Sequence, residues 1–107
     1  MSLDVTLTVG NATESYSGNF THNAGAMAEA AGIYTAMWRP EEIGITHARQ
    51  LIEPLRAGIA LMESDPPRFK KHDAPNGWGT YEQFLPFAKE YLAACEAEPN
   101  ARVSVSR

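Results

Sequence analysis

The feature that most constrains the fold is a strict alternation of apolar and polar residues near both ends of the chain. Every second residue is apolar from Leu3 to Val9, and the same holds from Ala101 to Val105. A period of two is typical of a β-strand with one buried face. Two isolated strands are marginal, so we expect both to meet in one antiparallel sheet that helices cover on one face. Residues 15–20 are a candidate for a short middle strand.

The middle of the chain has the spacing of α-helices. Apolar residues recur at helical intervals between residues 20 and 31, with Asn19 or Thr21 as a candidate N-cap and Gly32 as a candidate stop. A second, short helix is predicted to begin at Pro40, because proline tolerates the first helical position.

Two longer helices follow. Thr46 is predicted to cap a helix over residues 47–63, and Thr80 with Gln83 has the pattern of a capping box for the last helix. Between them, one more helical turn is predicted to place Phe69 in the core. The sequence therefore predicts an α+β fold, a single domain over residues 1–107, in which a small antiparallel sheet packs on three or four helices.

The composition limits the classes of function. The chain has 107 residues, with 9 Lys and Arg against 13 Asp and Glu, which gives a formal net charge of −4. Binding to nucleic acid requires a basic face, so this balance disfavours nucleic acid as a partner. The single cysteine, Cys95, lies on the apolar stripe of the last helix, and we interpret it as a small buried hydrophobe. We expect no metal site, no cofactor and no membrane span.

The first candidate site is a group of polar side chains at the start of the first helix, namely Asn19, Thr21, His22 and Asn23. The free amides and the dipole at a helix N-terminus favour an anion. These side chains are more than one cap requires. The alternative is that they only cap the helix and stabilise the turn before it.

The second candidate site is the run that contains Trp38, Arg39 and Glu42. A guanidinium can stack on an indole while it binds a carboxylate or a phosphate. The alternative is a structural ion pair between Arg39 and Glu42 beside a short helix.

The third candidate site is the loop that contains Asn76 and Trp78, in which Gly77 and Gly79 flank the tryptophan. Flanking glycines allow an indole to lie close to another backbone. The indole then either fills the core beneath the loop or forms the floor of a pocket.

The same stretches resemble a family of small, mostly uncharacterised proteins of tailed phages and prophages. The resemblance covers roughly residues 19–106 and rests on three motifs, which are Asn19-Phe20-Thr21-His22-Asn23, Trp38 to Glu42, and Asn76 to Glu82. It marks the following recurring polar and aromatic positions: Asn19, His22, Asn23, Trp38, Arg39, Glu42, Asn76 and Trp78. It implies a phage-linked context, hence the cytoplasm of a bacterial host, and it implies no substrate.

Three functions remain open. The first is a non-enzymatic binding module whose polar-aromatic pocket holds a small anionic or nucleotide-like ligand, in a cleft lined by tryptophan at the start of the first helix. The second is a protein-interaction accessory or inhibitor of a host factor, with an exposed aromatic patch. Candidates for that patch are Tyr16, Tyr34, Phe69 and Phe87.

The third function is a small enzyme in which His22 acts as general acid or base, oriented by Glu42 or Asn23. We also expect a homodimer, formed through the free edge of the sheet or through the helix rich in small residues.

Overall fold

The structure, a computed structural model, describes residues 2–11 and 13–107 and confirms the α+β fold. Its sheet is antiparallel, in the order β2-β1-β3, with the bounds β1 (Ser2–Val9), β2 (Thr13–Thr21) and β3 (Arg102–Ser106). The two predicted end strands are therefore neighbours, and β1 is central. The middle strand exists but is not short, because β2 has 9 residues against 8 in β1.

The register of the sheet explains the alternation in the sequence. Leu3 and Val5 of β1 are fully buried, and they pair with Phe20 and Gly18 of β2 on the same face. The intervening residues of β1 point to the opposite, open face, where Asp4 lies exposed. One face of the sheet is thus part of the core, as a period of two requires.

Five α-helices are described, with the bounds α1 (Gly25–Ala30), α2 (Tyr34–Trp38), α3 (Arg49–Ser64), α4 (Pro66–Lys70) and α5 (Tyr81–Ala97). The predicted number was three or four. The first predicted helix begins later than expected, because β2 continues to Thr21 and a 3-10 turn over His22–Ala24 precedes α1. The helix α2 was not predicted. Pro40 opens a 3-10 turn over Pro40–Ile43 rather than an α-helix.

The predicted helix caps have mixed outcomes. The capping box of Thr80 and Gln83 is confirmed at the start of α5, and Thr21 accepts a hydrogen bond from the backbone N–H of Asn23 at 3.2 Å. The predicted cap at Thr46 is wrong. Instead, Oε1 of Gln50 turns back and accepts from the backbone N–H of Thr46 at 2.8 Å, which satisfies a free amide before α3.

The core is one contiguous cluster between the sheet and the helices. Cys95 lies fully inside it, and burial raises the pKa of its thiol to about 12, with Glu96 as a second cause. Phe69 and Phe87 are also buried, so the prediction that they belong to an exposed aromatic patch is wrong. Their rings are needed to fill the space beneath the sheet and between α3, α4 and α5.

The two edges of the sheet differ. On the outer side of β3, the backbone N–H of Val103 donates to the carbonyl oxygen of Thr46 at 2.9 Å, and His47 forms an isolated bridge with Arg102. The outer side of β2 has no strand partner in the described part of the chain. Among the helices of the described residues, none is both long and apolar enough to cross a bilayer.

Candidate functional site

The structure divides the eight predicted site residues into two groups. Asn19, Asn23, Asn76 and Trp78 lie in or beside a cleft. His22, Trp38, Arg39 and Glu42 lie in or beside a separate pocket. The division falls in the 3-10 turn after β2, where His22 lines the pocket and its neighbour Asn23 lines the cleft. The single site expected around His22, Asn23, Arg39 and Trp78 is therefore two sites.

The larger site, which we call the cleft, has a volume of about 820 Å³ and opens between the end of β2 and the loop before α5. None of the described residues that line it is ionisable. The lining residues are Ser2, Asn19, Phe20, Thr21, Asn23, Gly77, Trp78, Gly79 and Gln83. A cleft lined by tryptophan beside the start of the first helix was predicted, and this cleft has that position.

A glycine allows the loop to approach β2 closely. Gly79 has a φ of +102°, which side chains of L-residues rarely adopt. A Cβ at this position would lie 3.1 Å from both Cβ of Asn23 and Cγ2 of Thr21. The side-chain amide of Asn23 also donates to the carbonyl oxygen of Trp78 at 3.1 Å. The loop is thereby attached to the segment that follows β2.

Two further side chains hold the same loop. Oδ1 of Asn76 accepts from the backbone N–H of Trp78 at 3.0 Å, and Oε1 of Gln83 accepts from the backbone N–H of Gly79 at 2.8 Å. The peptide groups on both sides of Trp78 are therefore fixed. Its indole nevertheless is 70% exposed. The interpretation that Trp78 fills the core beneath its loop is wrong, and the indole lines the cleft instead.

The amide side chains around the cleft are each fixed through one atom or group. Both N–H groups of Asn19 are used, toward Oγ of Ser2 at 2.8 Å and Oδ1 of Asp4 at 2.7 Å. Oδ1 of Asn19, Oδ1 of Asn23 and Nε2 of Gln83 have no protein partner in the described part of the chain. The cleft thus offers both acceptors and donors whose positions are already set.

The smaller site, which we call the arginine pocket, has a volume of about 230 Å³ and is lined by His22, Tyr34, Trp38, Arg39 and Arg107. Trp38 is 2% exposed, and its Nε1–H donates to Nδ1 of His22 at 2.9 Å. The ring of Tyr34 stacks on the indole with centroids 5.4 Å apart. Trp38 is therefore a core residue whose only polar side-chain atom is satisfied.

Arginines and glutamates surround this pocket in pairs. Nη1 of Arg39 lies 3.1 Å from Oε2 of Glu42, so the ion pair considered from the sequence is present. The pKa of Arg39 is raised, first by a side-chain hydrogen bond with Tyr34 and then by Glu42. Nη1 of Arg107 donates to the carbonyl oxygen of Trp38 at 2.7 Å and lies 3.0 Å from Oε2 of Glu41. The pKa of Glu41 is lowered, mainly by a hydrogen bond from its own backbone N–H and then by Arg107.

Several residues of both sites were not predicted as site residues. Gln83 was predicted only as part of a capping box. Its Oε1 accepts from the backbone N–H groups of Gly79 and Thr80, and its NH₂ group stays available in the cleft. Arg107 had no signal in the sequence, and Tyr34 was a candidate only for the exposed aromatic patch, because their contacts in this pocket depend on how distant segments pack.

The hydrogen bond of His22 limits catalysis by this residue. Because an indole N–H can only donate, Nδ1 of His22 must be the acceptor, and the neutral ring carries its proton on Nε2. Neither nitrogen can then take a proton from a substrate unless the bond to Trp38 breaks. In the described part of the chain, the ring makes no hydrogen bond to Glu42 or Asn23, the two predicted orienting groups. Among residues 2–11 and 13–107, no three metal-ligating side chains come together.

No protein-family model matches this chain, and searches among the curated proteins and among the solved structures give no match. The resemblance to phage proteins therefore stays a prediction. The function is therefore inferred from the geometry of the cleft and of the arginine pocket.

Proposed function

We propose that the protein is a non-enzymatic binding module that holds a small ligand with a nucleobase-like ring in the cleft, stacked on Trp78. The observation that carries this proposal is the indole of Trp78, which is 70% exposed although the peptide groups around it are fixed by Asn23 and Asn76. A large apolar ring left in water contributes none of the stabilisation that its burial would give to folding. A ring that is exposed on a fixed backbone is a stacking surface whose point of attachment is already set.

The polar groups of the cleft support a ring with a hydrogen-bonding edge. Amide side chains carry a donor and an acceptor side by side, and they match the edges of nucleobases, which also carry both. Asn19 and Asn23 each present an oxygen, and Gln83 presents its NH₂ group. These groups line the same cleft as the indole, so a flat ring stacked there has hydrogen-bonding partners within the cleft.

The neutral lining of the cleft limits the proposed ligand to its ring, without a phosphate group. The ligand predicted from the sequence was anionic or nucleotide-like, but the described residues that line the cleft are all neutral. A phosphate group would therefore find no cation among them. The volume of about 820 Å³ is that of an ordinary small-molecule site.

The phage-linked context predicted from the sequence gives such a module a role. A protein that binds without catalysis can sense or sequester a metabolite or signal of the bacterial host. In this proposal the ligand is released unchanged, so its mass before and after binding is the same.

The test is a titration of the full chain with adenosine, guanosine, cytidine and uridine. The chain has 2 tryptophans, so its NMR spectrum contains one indole N–H signal for each site. We expect a saturable shift of the Trp78 signal with at least one nucleoside while the Trp38 signal stays in place. By calorimetry, Trp78→Ala should weaken that binding by about tenfold or more, because stacking on an aromatic ring contributes about 1–3 kcal/mol per base.

The control is Ile43→Ala, which removes the other large hydrophobic side chain that is exposed among the described residues, at a position outside the cleft. It should leave the affinity unchanged. The proposal is overturned if the Trp78 signal stays fixed with all four nucleosides up to about 10 mM, a concentration at which even weak specific sites are occupied. It is also overturned if Trp78→Ala binds as well as the unchanged chain.

The second candidate, a protein-interaction accessory or inhibitor of a host factor, is supported by the outer edge of β2. Asn19–Thr21 of this edge strand line the cleft, so an extended peptide could pair with β2 and place a side chain on Trp78. A host protein that is captured by the unchanged chain, lost with Trp78→Ala and not displaced by nucleosides would favour this candidate.

A further inference from the structure

The polar side-chain groups that line the arginine pocket are hydrogen-bond donors. Because Nδ1 of His22 accepts from Trp38, its Nε2 carries a proton. The guanidinium groups of Arg39 and Arg107 only donate, and the hydroxyl of Tyr34 is able to donate. No carboxylate is among the described residues that line this pocket. A pocket whose lining contains cationic donors and no carboxylate favours an anion as its ligand.

Carboxylates outside the lining hold the two guanidinium groups in place. Nη1 of Arg39 contacts Glu42 at 3.1 Å, and Nη1 of Arg107 contacts Glu41 at 3.0 Å. Each guanidinium has five N–H groups and uses only Nη1 for these contacts. Arg39 also has a side-chain hydrogen bond with Tyr34, and the N–H groups that none of these contacts uses stay available for a ligand.

The carbonyl oxygen of Trp38 fixes Arg107 a second time, at 2.7 Å from Nη1. Side chains that are already ordered lose less conformational freedom when a ligand binds. The two guanidinium groups and the imidazole N–H that line this pocket are the kinds of donor that an oxyanion accepts from.

We propose that the arginine pocket binds a small oxyanion, a carboxylate or phosphate group, between Arg39 and Arg107 with His22 as a further donor. The volume of about 230 Å³ fits a group of this size rather than a whole nucleotide. The pocket shares no lining residue with the cleft. The proposal is therefore independent of the function proposed for the cleft.

The neighbouring glutamates set the expected strength. Glu41 and Glu42 balance the two arginines, and both guanidinium groups are partly exposed, so water and salt screen their attraction for an anion. We expect dissociation constants in the range of roughly 1–10 mM, with weaker binding at higher salt.

The test is a titration of the full chain with sodium phosphate, and separately with sodium acetate, at constant pH and constant ionic strength. The probe is the indole N–H signal of Trp38, which donates to His22 at the edge of the pocket. We expect a saturable shift of this signal while the Trp78 signal stays in place. Arg107→Gln and Arg39→Gln should each weaken binding about tenfold, the loss expected when a charge-assisted contact is removed.

The matched control is Arg68→Gln, which removes the same charge from an exposed arginine outside the pocket. It should leave the phosphate affinity unchanged. If one of the two pocket variants does not fold, the other one still tests the proposal. The dispersion of the amide signals in the same spectra shows whether each variant is folded. The proposal is overturned if neither anion gives a saturable shift, or if Arg68→Gln weakens binding as much as the two pocket variants.

The two titrations also identify the class of anion. Phosphate that binds at least about tenfold more tightly than acetate would assign the pocket to phosphate groups, because phosphate accepts from more donors at once. Equal affinities would assign it to carboxylates as well.

Discussion

The two tryptophans of this chain have opposite surroundings. Trp38 is 2% exposed, lies against Tyr34, and donates its only side-chain N–H to His22. Trp78 is 70% exposed, and what is fixed around it is the backbone rather than the ring. One indole therefore stabilises the fold, and the other one is available to a ligand.

The difference shows that a motif is insufficient to assign a role to an aromatic residue. Both tryptophans lie in runs with arginine, glutamate, asparagine or glycine neighbours, and both were candidates for the same pocket. Their roles diverge because α2 turns Trp38 into the core, whereas the loop before α5 is attached through its peptide groups. Substitutions at and around the two indoles test whether the buried one stabilises the fold and the exposed one does not.

The largest expected effect is that of Trp38→Ala. Removal of a buried indole should lower the free energy of unfolding by about 3–5 kcal/mol, because it leaves a large cavity. Trp78→Ala should change it by less than about 0.5 kcal/mol, as is usual for exposed positions. Urea unfolding of both variants checks this, and similar losses in both would contradict the division.

The next effect concerns the bond between His22 and Trp38. His22→Leu should destabilise the protein by about 1–3 kcal/mol, since it leaves a buried donor without an acceptor. Trp38→Phe should cost less in the His22→Leu background than in the unchanged chain. Additive losses in this double-mutant cycle would show that the bond contributes nothing.

An effect of similar size is expected at Gly79, which attaches the loop of Trp78 to Thr21 and Asn23. Gly79→Ala should destabilise the protein by about 1–3 kcal/mol, through both the positive φ and the close contacts, and should weaken binding in the cleft. The matched control is Gly77→Ala. Gly77 has a φ of +77° but no atom within 4 Å of a Cβ, so its loss should be the smaller one. Equal losses would mean that the close approach at Gly79 is unimportant.

The smallest change in stability is expected at Tyr91, an aromatic residue that can be compared with Trp38. It is fully buried like Trp38, but its hydroxyl has no partner in the described part of the chain, and burial raises the pKa of this hydroxyl. Tyr91→Phe should therefore leave the stability unchanged or raise it by up to about 1 kcal/mol. Thermal unfolding measures this, and a clear drop in Tm would reveal a partner for the hydroxyl.

The sequence predicts those features whose determining residues lie close together along the chain. The alternation in β1 and the capping box of Thr80 and Gln83 lie within a few residues, and both are confirmed. The exposure of Trp78 depends on Asn23, 55 positions away, and the contact of Arg107 with Trp38 spans 69 positions. No periodicity encodes such contacts, so the two sites were expected to be one.

The open outer side of β2 limits how copies of this chain can associate. The outer side of β3 is engaged by Thr46 and His47 at its first residues, so only a short stretch of that edge remains available for pairing. An assembly that grows strand by strand needs two long open edges on every copy. If copies of such a molecule paired through β2, the contact would close after two copies, with the geometry of a symmetric dimer.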